Sequence, residues 1–191
     1  MASVPRDEAH VKGWQASGPK HWQTWLAGEL EAAGEEVRYP RLPQPDTPRL
    51  DEWLGALRPL LAAMREERVV LCHSLGCILW LQHARVAGSE HRADRVLLVA
   101  PPSPRAKLPG VVGCFPLAVT TEEVAAAAGT TRLVCSLDDP YCPECGDSIY
   151  GRPLGIETDV LDGAAHVNVD AGYGRWPAVR EWALTGAVPL S

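Results

Sequence analysis

Ser74 has the sequence setting of a nucleophilic hydroxyl. It lies in Arg68-Val69-Val70-Leu71-Cys72-His73-Ser74-Leu75-Gly76-Cys77-Ile78-Leu79-Trp80, where an apolar, β-branched run enters and a helix-compatible stretch to Val86 leaves. A Ser on a sharp strand-to-helix turn presents its Oγ at the end of the strand. The usual pattern, G-x-S-x-G, keeps the residues two before and two after small so that strand and helix can approach. Here those positions are Cys72 and Gly76. Cys is small and packs as a compact apolar group, so the departure is mild. A Ser before a helix can also be an ordinary cap. Its partners must decide.

Attack by a Ser hydroxyl needs a base within hydrogen-bond reach and a carboxylate that orients the base. After the strand-like Leu133-Val134-Cys135-Ser136 comes Leu137-Asp138-Asp139-Pro140-Tyr141-Cys142-Pro143. After Thr158-Asp159-Val160-Leu161 comes Asp162-Gly163-Ala164-Ala165-His166. Both place polar groups at strand ends, in the order Ser, Asp, His that α/β-hydrolases use. The other histidines fit a base less well. His10 lies on a weak first strand, His21 opens a helix, His83 is mid-helix and His91 sits in a charged loop. His73 adjoins Ser74, and neighbouring side chains on such a turn point apart. The base is therefore expected to be His166. The acid is open between Asp138 and Asp139, and an acid followed by Pro-x-x-Pro nominates Asp139.

The elements that would carry these groups alternate, strand-like runs with helical ones, which predicts a three-layer α/β/α sandwich around a mostly parallel sheet. Expected strands are Ala9–Lys12, Glu36–Tyr39, Val69–Cys72, Arg95–Ala100, Leu133–Ser136 and Thr158–Leu161. Val4–Val11 carries more charge than a buried central strand should, which leaves open an edge position for the first strand. Expected helices run over His21–Ala33, from a Thr47-Pro48 start through Met64, over Gly76–Val86, Glu122–Ala128 and Ala178–Leu184. Pro59 should kink the second helix or lie where no backbone donor is needed. Thr120 and Glu123 have capping-box spacing, with Gly129 as the stop. The Pro-rich segments Tyr39–Pro48 and Pro101–Pro116 read as connections, and the second could rim a site at the sheet's carboxyl end.

With 191 residues, the chain is expected to be one domain, residues 1–191. A net charge of −6 argues against nucleic-acid binding. No apolar run approaches the ~20 residues of a membrane span, and the charged N-terminus does not read as a signal peptide, so the expected address is cytoplasmic. Cys142 and Cys145 form C-P-E-C without a second ligand pair, so neither a metal site nor a cofactor is expected.

Seven short motifs in order resemble the small, lidless α/β-hydrolases grouped with retinoblastoma-binding protein nine. They are Gly13-Trp14-Gln15, His21-Trp22-Gln23-Thr24-Trp25-Leu26, His73-Ser74-Leu75-Gly76, Leu98-Val99-Ala100-Pro101, Asp138-Asp139-Pro140-Tyr141, Ala165-His166, and Gly172-Tyr173-Gly174-Arg175-Trp176-Pro177. The resemblance implies a minimal α/β-hydrolase fold and a triad of Ser74, Asp138 and His166. It also implies an oxyanion hole from the backbone N–H groups of Trp14 and Leu75. Three positions depart from the pattern: Lys12 stands for a His, and Cys72 and Ala165 each stand for a Gly. The expected function is a serine hydrolase acting on a small ester, thioester or amide through an acyl-enzyme. The alternatives are an acyltransferase with the same triad, or a weak or inactive interaction module on the same fold. The expected partner is a small acyl substrate, with no nucleic acid or membrane.

Overall fold

The strand-like runs join into one sheet in the computed structural model, which describes residues 6–12, 18–87, 91–186 and 189–190. The strands are β1 Arg6–Lys12, β2 Glu36–Arg38, β3 Glu67–His73, β4 Ala93–Val99, β5 Ala128–Ser136 and β6 Glu157–Leu161. Their order is β2-β1-β3-β4-β5-β6, and every pairing is parallel. Parallel neighbours need crossover connections, and helices supply most of them. These are α1 Trp22–Ala32, α2 Leu50–Ala63, α3 Leu75–Ala84, α4 Thr121–Ala127, a short α5 Arg152–Leu154 and α6 Pro177–Thr185.

Side-chain alternation along the strands feeds two cores. Val70, Cys72, Val96 and Leu98 pack on one face with Trp53, Leu57, Leu61, Ile78 and Trp80. Val69, Leu71, Leu97 and Val99 face the other way, onto Trp22, Leu26, Leu30, Val179 and Trp182. This is why β3 and β4 read as continuous apolar runs: a strand covered on both faces has no polar side to alternate with.

Three sequence expectations change. The charged β1 is interior, paired with both β2 and β3. Its Arg6 sits at the strand's start and spans Glu35 at 3.2 Å and Glu67 at 2.8 Å, so that charge lies at the sheet's amino end. Thr47 and Pro48 precede α2 and do not open it; the N-cap is Arg49, which forms a parallel bridge to Val112. Leu50 N–H donates to the Val112 carbonyl, so tertiary pairing sets that helix start. Gly129 is already inside β5, where a Cβ would stand 2.6 Å from the Asp94 carbonyl oxygen. The glycine there admits β4, and α4 ends by passing straight into the strand. The Thr120–Glu123 capping box is present in both directions. Pro59 lies inside α2 on its exposed side, as does Gly55, so the carbonyl that Pro59 leaves without a donor faces water.

The carboxyl ends of β3, β5 and β6 share one edge of the sheet, and the loops that leave them carry Ser74, Asp138 with Asp139, and His166. Open α/β sheets bind ligands at that edge.

Candidate active site

Ser74 connects β3 to α3 with φ 56° and ψ −126°, a conformation that L-residues rarely adopt. Two bonds to one carbonyl hold it there. Ser74 N–H donates to Val99 O at 2.9 Å, and the Cys77 thiol donates to the same oxygen at 3.3 Å. The elbow is thereby tied to β4. Cys72 is fully buried, as a small apolar residue two before the Ser should be. Ser74 itself is half-buried. Leu75 opens α3, and the first backbone N–H groups of a helix have no partner within it. Trp14, the other expected oxyanion donor, lies outside the described residues with Gly13 and Gln15.

Across 92 residues of sequence, His166 Nε2 stands 3.0 Å from Ser74 Oγ. On the other side of the ring, Nδ1 is 2.9 Å from Asp139 Oδ2 and 3.1 Å from Oδ1. A carboxylate accepts, so Nδ1 carries the proton and Nε2 is free to accept one from the Ser hydroxyl. Asp139 also accepts the Tyr141 backbone N–H at 2.8 Å, and its side chain is 1% exposed.

The resemblance implies Asp138 as the acid, whereas the carboxylate that meets the imidazole is Asp139, the alternative the sequence left open. Asp138 is exposed and points along the loop. It accepts from the Ser136 hydroxyl and, at 2.9 Å, from Ala165 N–H. These bonds, the Ser136 one first, hold its carboxyl below the usual range. Ser136 Oγ in turn accepts Ala164 N–H at 3.2 Å. Adjacent residues throw their side chains to opposite sides, so one Asp can face the imidazole while the other fastens its loop.

Sequence reasoning set aside or missed three residues. Tyr141 lays its ring 4.6 Å from that of His166, and its carbonyl accepts Ser103 N–H at 2.8 Å. The start of the Pro101–Pro116 segment is thus joined to the acid loop. Ser136 gave no signal beyond its place at a strand end. His73 adjoins Ser74, and its Nε2 lies 2.9 Å from the His166 backbone oxygen.

The C-P-E-C thiols are free; Cys142 is buried, and the sulfur of Cys145 lies 3.7 Å from that of Cys135. Burial pushes the Cys142 and Cys135 thiols up to about 12. A redox or metal-binding thiolate needs the opposite shift. Among the described residues, no three His, Cys, Asp or Glu side chains gather as a metal site, and no helix is long and apolar enough to cross a membrane.

A wholly parallel sheet with a Ser–His–Asp array at its carboxyl edge defines the α/β-hydrolase fold class. Solved structures agree on the fold. The ydeN gene product of Bacillus subtilis superposes with a TM-score of 0.82 at 21% identity, covering 92% of this chain and 95% of its own. A YdeN-like protein of Pectobacterium atrosepticum gives 0.71 at 21% identity, over 93% and 88% of the two chains. A monoacylglycerol lipase of Paleococcus ferrophilus gives 0.66 at 14%, over 97% of each. By sequence, YdeN of B. subtilis (strain 168), named a candidate hydrolase, is 33% identical over 79 residues. That segment is 40% of this chain and 42% of YdeN. The family model for serine hydrolases matches residues 9–183, and the chain belongs to that family.

Proposed function

We propose that this serine hydrolase cleaves a small ester, thioester or amide through an acyl-enzyme on Ser74, with His166 as base and Asp139 as its orienting acid. The observation that carries the reading is the unbroken line Ser74 Oγ, His166 Nε2, His166 Nδ1, Asp139, with contacts of 3.0 and 2.9 Å. The seven motifs that resemble the short hydrolases grouped with retinoblastoma-binding protein nine support it.

In the first half-reaction, Ser74 Oγ bonds to the substrate's carbonyl carbon as its proton passes to His166 Nε2. The carbonyl oxygen takes up the negative charge beside Leu75 N–H, at the positive end of α3. The carbon–leaving-group bond then breaks, and the leaving group takes the proton from His166. Water completes the cycle by the same steps in reverse. It gives a proton to His166, attacks the acyl carbon and releases the acid, and Ser74 recovers its proton. Asp139 keeps the imidazole in the Nδ1–H tautomer and stabilises the imidazolium that forms. The segment 101–120 between β4 and α4 contains no helix, which suits an open site and small or extended substrates.

A fluorophosphonate probe, which phosphorylates only an activated Ser, tests the mechanism. The protein should label, and Ser74→Ala should abolish both labelling and hydrolysis of a short p-nitrophenyl ester while the far-UV spectrum stays unchanged. Hydrolysis undiminished in Ser74→Ala would refute the acyl-enzyme.

A further inference from the structure

His166 sits in a strained loop. Ala165 and Val167, the residues on either side of it, have φ of +42° and +47°. Neither is a glycine, and residues with a side chain rarely adopt this left-handed backbone. Such a backbone persists only where its surroundings fix it. Ser136 and Asp138 hold the loop's first half through Ala164 N–H and Ala165 N–H. The second half is held from the opposite side, by an imidazole next to the nucleophile itself.

His73 ends β3 and is buried. Its Nε2 lies 2.9 Å from the carbonyl oxygen of His166. A carbonyl can only accept, so Nε2 carries the hydrogen and donates. The ring has company on its far side. His21 is 4.8 Å away edge-on, and Trp22 is 6.0 Å away at 85°. Those two residues open the His21–Leu26 motif, whose role the triad leaves unexplained. The same motif fixes its own place: His21 Nδ1 accepts Gln23 N–H at 3.2 Å, and Gln23 Nε2 donates to Leu71 O at 3.2 Å on β3. Trp22 meets Trp176 edge-to-face at 5.5 Å, which brings in the Gly172–Pro177 motif. Gly174 lies so close to the entry of α1 that a Cβ would stand 2.9 Å from Lys20 O. Two motifs without triad residues thus converge behind one imidazole.

We propose that His73 is a positioning residue for the base. Its Nε2–H bond to the His166 carbonyl sets the height of the imidazole above Ser74, and the His21–Trp22–Trp176 stack fixes His73 in turn. Because Ser74 follows His73 directly, one residue registers nucleophile and base against each other. The inference rests on His166 being the base.

The test compares variants by donor position, with Ser74 phosphorylation by a fluorophosphonate as the readout. Gln carries its amide nitrogen at the place of the histidine Nε2, whereas the Asn nitrogen matches Nδ1 and stops short. Phe keeps a ring and has no donor. His73→Phe and His73→Asn should lower the limiting labelling rate by ~10- to 100-fold, the range a misplaced catalytic group produces, with half-saturation unchanged. His73→Gln should recover to within a few-fold of wild type. Melting curves show which variants are folded at the assay temperature. If folded His73→Phe labels at the wild-type rate, or folded His73→Gln is as slow as His73→Phe, the positioning role is wrong. If the wild-type protein itself does not label, the failure lies in the acyl-enzyme reading.

Discussion

Ser74 and its proposed partner His166 are held in different ways. Around Ser74 the backbone does most of the holding, with the Cys77 thiol on the same Val99 carbonyl as the Ser74 N–H. The elbow's N–H is bonded to β4, and α3 behind it is buried along its whole length, from Leu75 to Ala84. Around His166 a backbone bond, Val167 N–H to Ala164 O at 2.8 Å, is joined by several side chains. Ser136, Asp138 and His73 bond the loop that carries it, and left-handed residues flank it on both sides. A strand-turn-helix joint can be read from its flanking residues, even though its tie to Val99 on β4 comes from farther along the chain. The base loop takes its shape from residues up to 93 positions away. Substitutions should therefore hurt the two regions differently: the elbow through chemistry and packing, the base loop through alignment.

The sharpest division lies within the acid loop, where adjacent carboxylates have different partners. Asp139→Asn offers the imidazole an amide, which removes the charge and invites the wrong tautomer. Loss of the corresponding carboxylate costs ~10⁴ in kcat in the serine-protease case, and a similar loss is expected here. Asp138→Asn keeps the side chain's shape and weakens its grip on the Ser136 hydroxyl and Ala165 N–H, so its cost should stay below ~100-fold. Steady-state rates on a p-nitrophenyl ester decide the order. Greater damage in Asp138→Asn would return the acid to the position that the resemblance implied.

That one-residue question marks where the sequence stopped being legible. Strand and helix positions could be read because β3 and β4 are buried on both faces and α1 keeps one apolar stripe. Ser74 could be read from its two flanking elements. His166 followed from chain order together with the poor fit of the other histidines. Choosing between Asp138 and Asp139 depends on which way a turn rotates, and that is set by Ser136, Ala165 and Tyr141 from two different loops. The charged β1 misled for a related reason. Arg6 is accommodated by Glu35 and Glu67, partners that no local pattern connects to it. The start of α2 likewise depends on Val112, 62 residues after Leu50.

Burial on the elbow side has a pH signature. His83, near the end of α3, is fully buried, with Trp80 5.2 Å away. Burial pushes its imidazole down to about 4, opposed by a bond to the His91 backbone and aided by the charges of His91 and Arg58. The unfolded chain binds a proton there near ~6.5, the folded protein only near 4, so the folded state loses ground as pH falls through that interval. The difference is worth roughly 3 kcal/mol by pH 4. Urea denaturation of wild type and His83→Leu should show stabilities that converge, or cross, between pH 6.5 and 4, because only the wild type carries this loss. A difference between the two that is flat with pH would mean His83 is not held neutral.

The smallest effect tests the strain on the other side. Ala165 sits at φ +42° where the resembling hydrolases carry Gly. Ala165→Gly should release ~1–2 kcal/mol of left-handed strain. It should also add back ~0.4–1 kcal/mol of unfolded-state freedom, because glycine loses more entropy on folding. The balance favours the variant by about 0.5 kcal/mol, a rise of one to two degrees in melting temperature at this chain length. Val167 offers no such test, because it is fully buried and its truncation would open the core. The Asp138 and His73 bonds remain in Ala165→Gly, so kcat should change less than in any variant that cuts them. A fall in melting temperature would show that the loop is relaxed at Ala165. The contrast between the Ser74 elbow and the His166 loop would then rest on the hydrogen bonds alone.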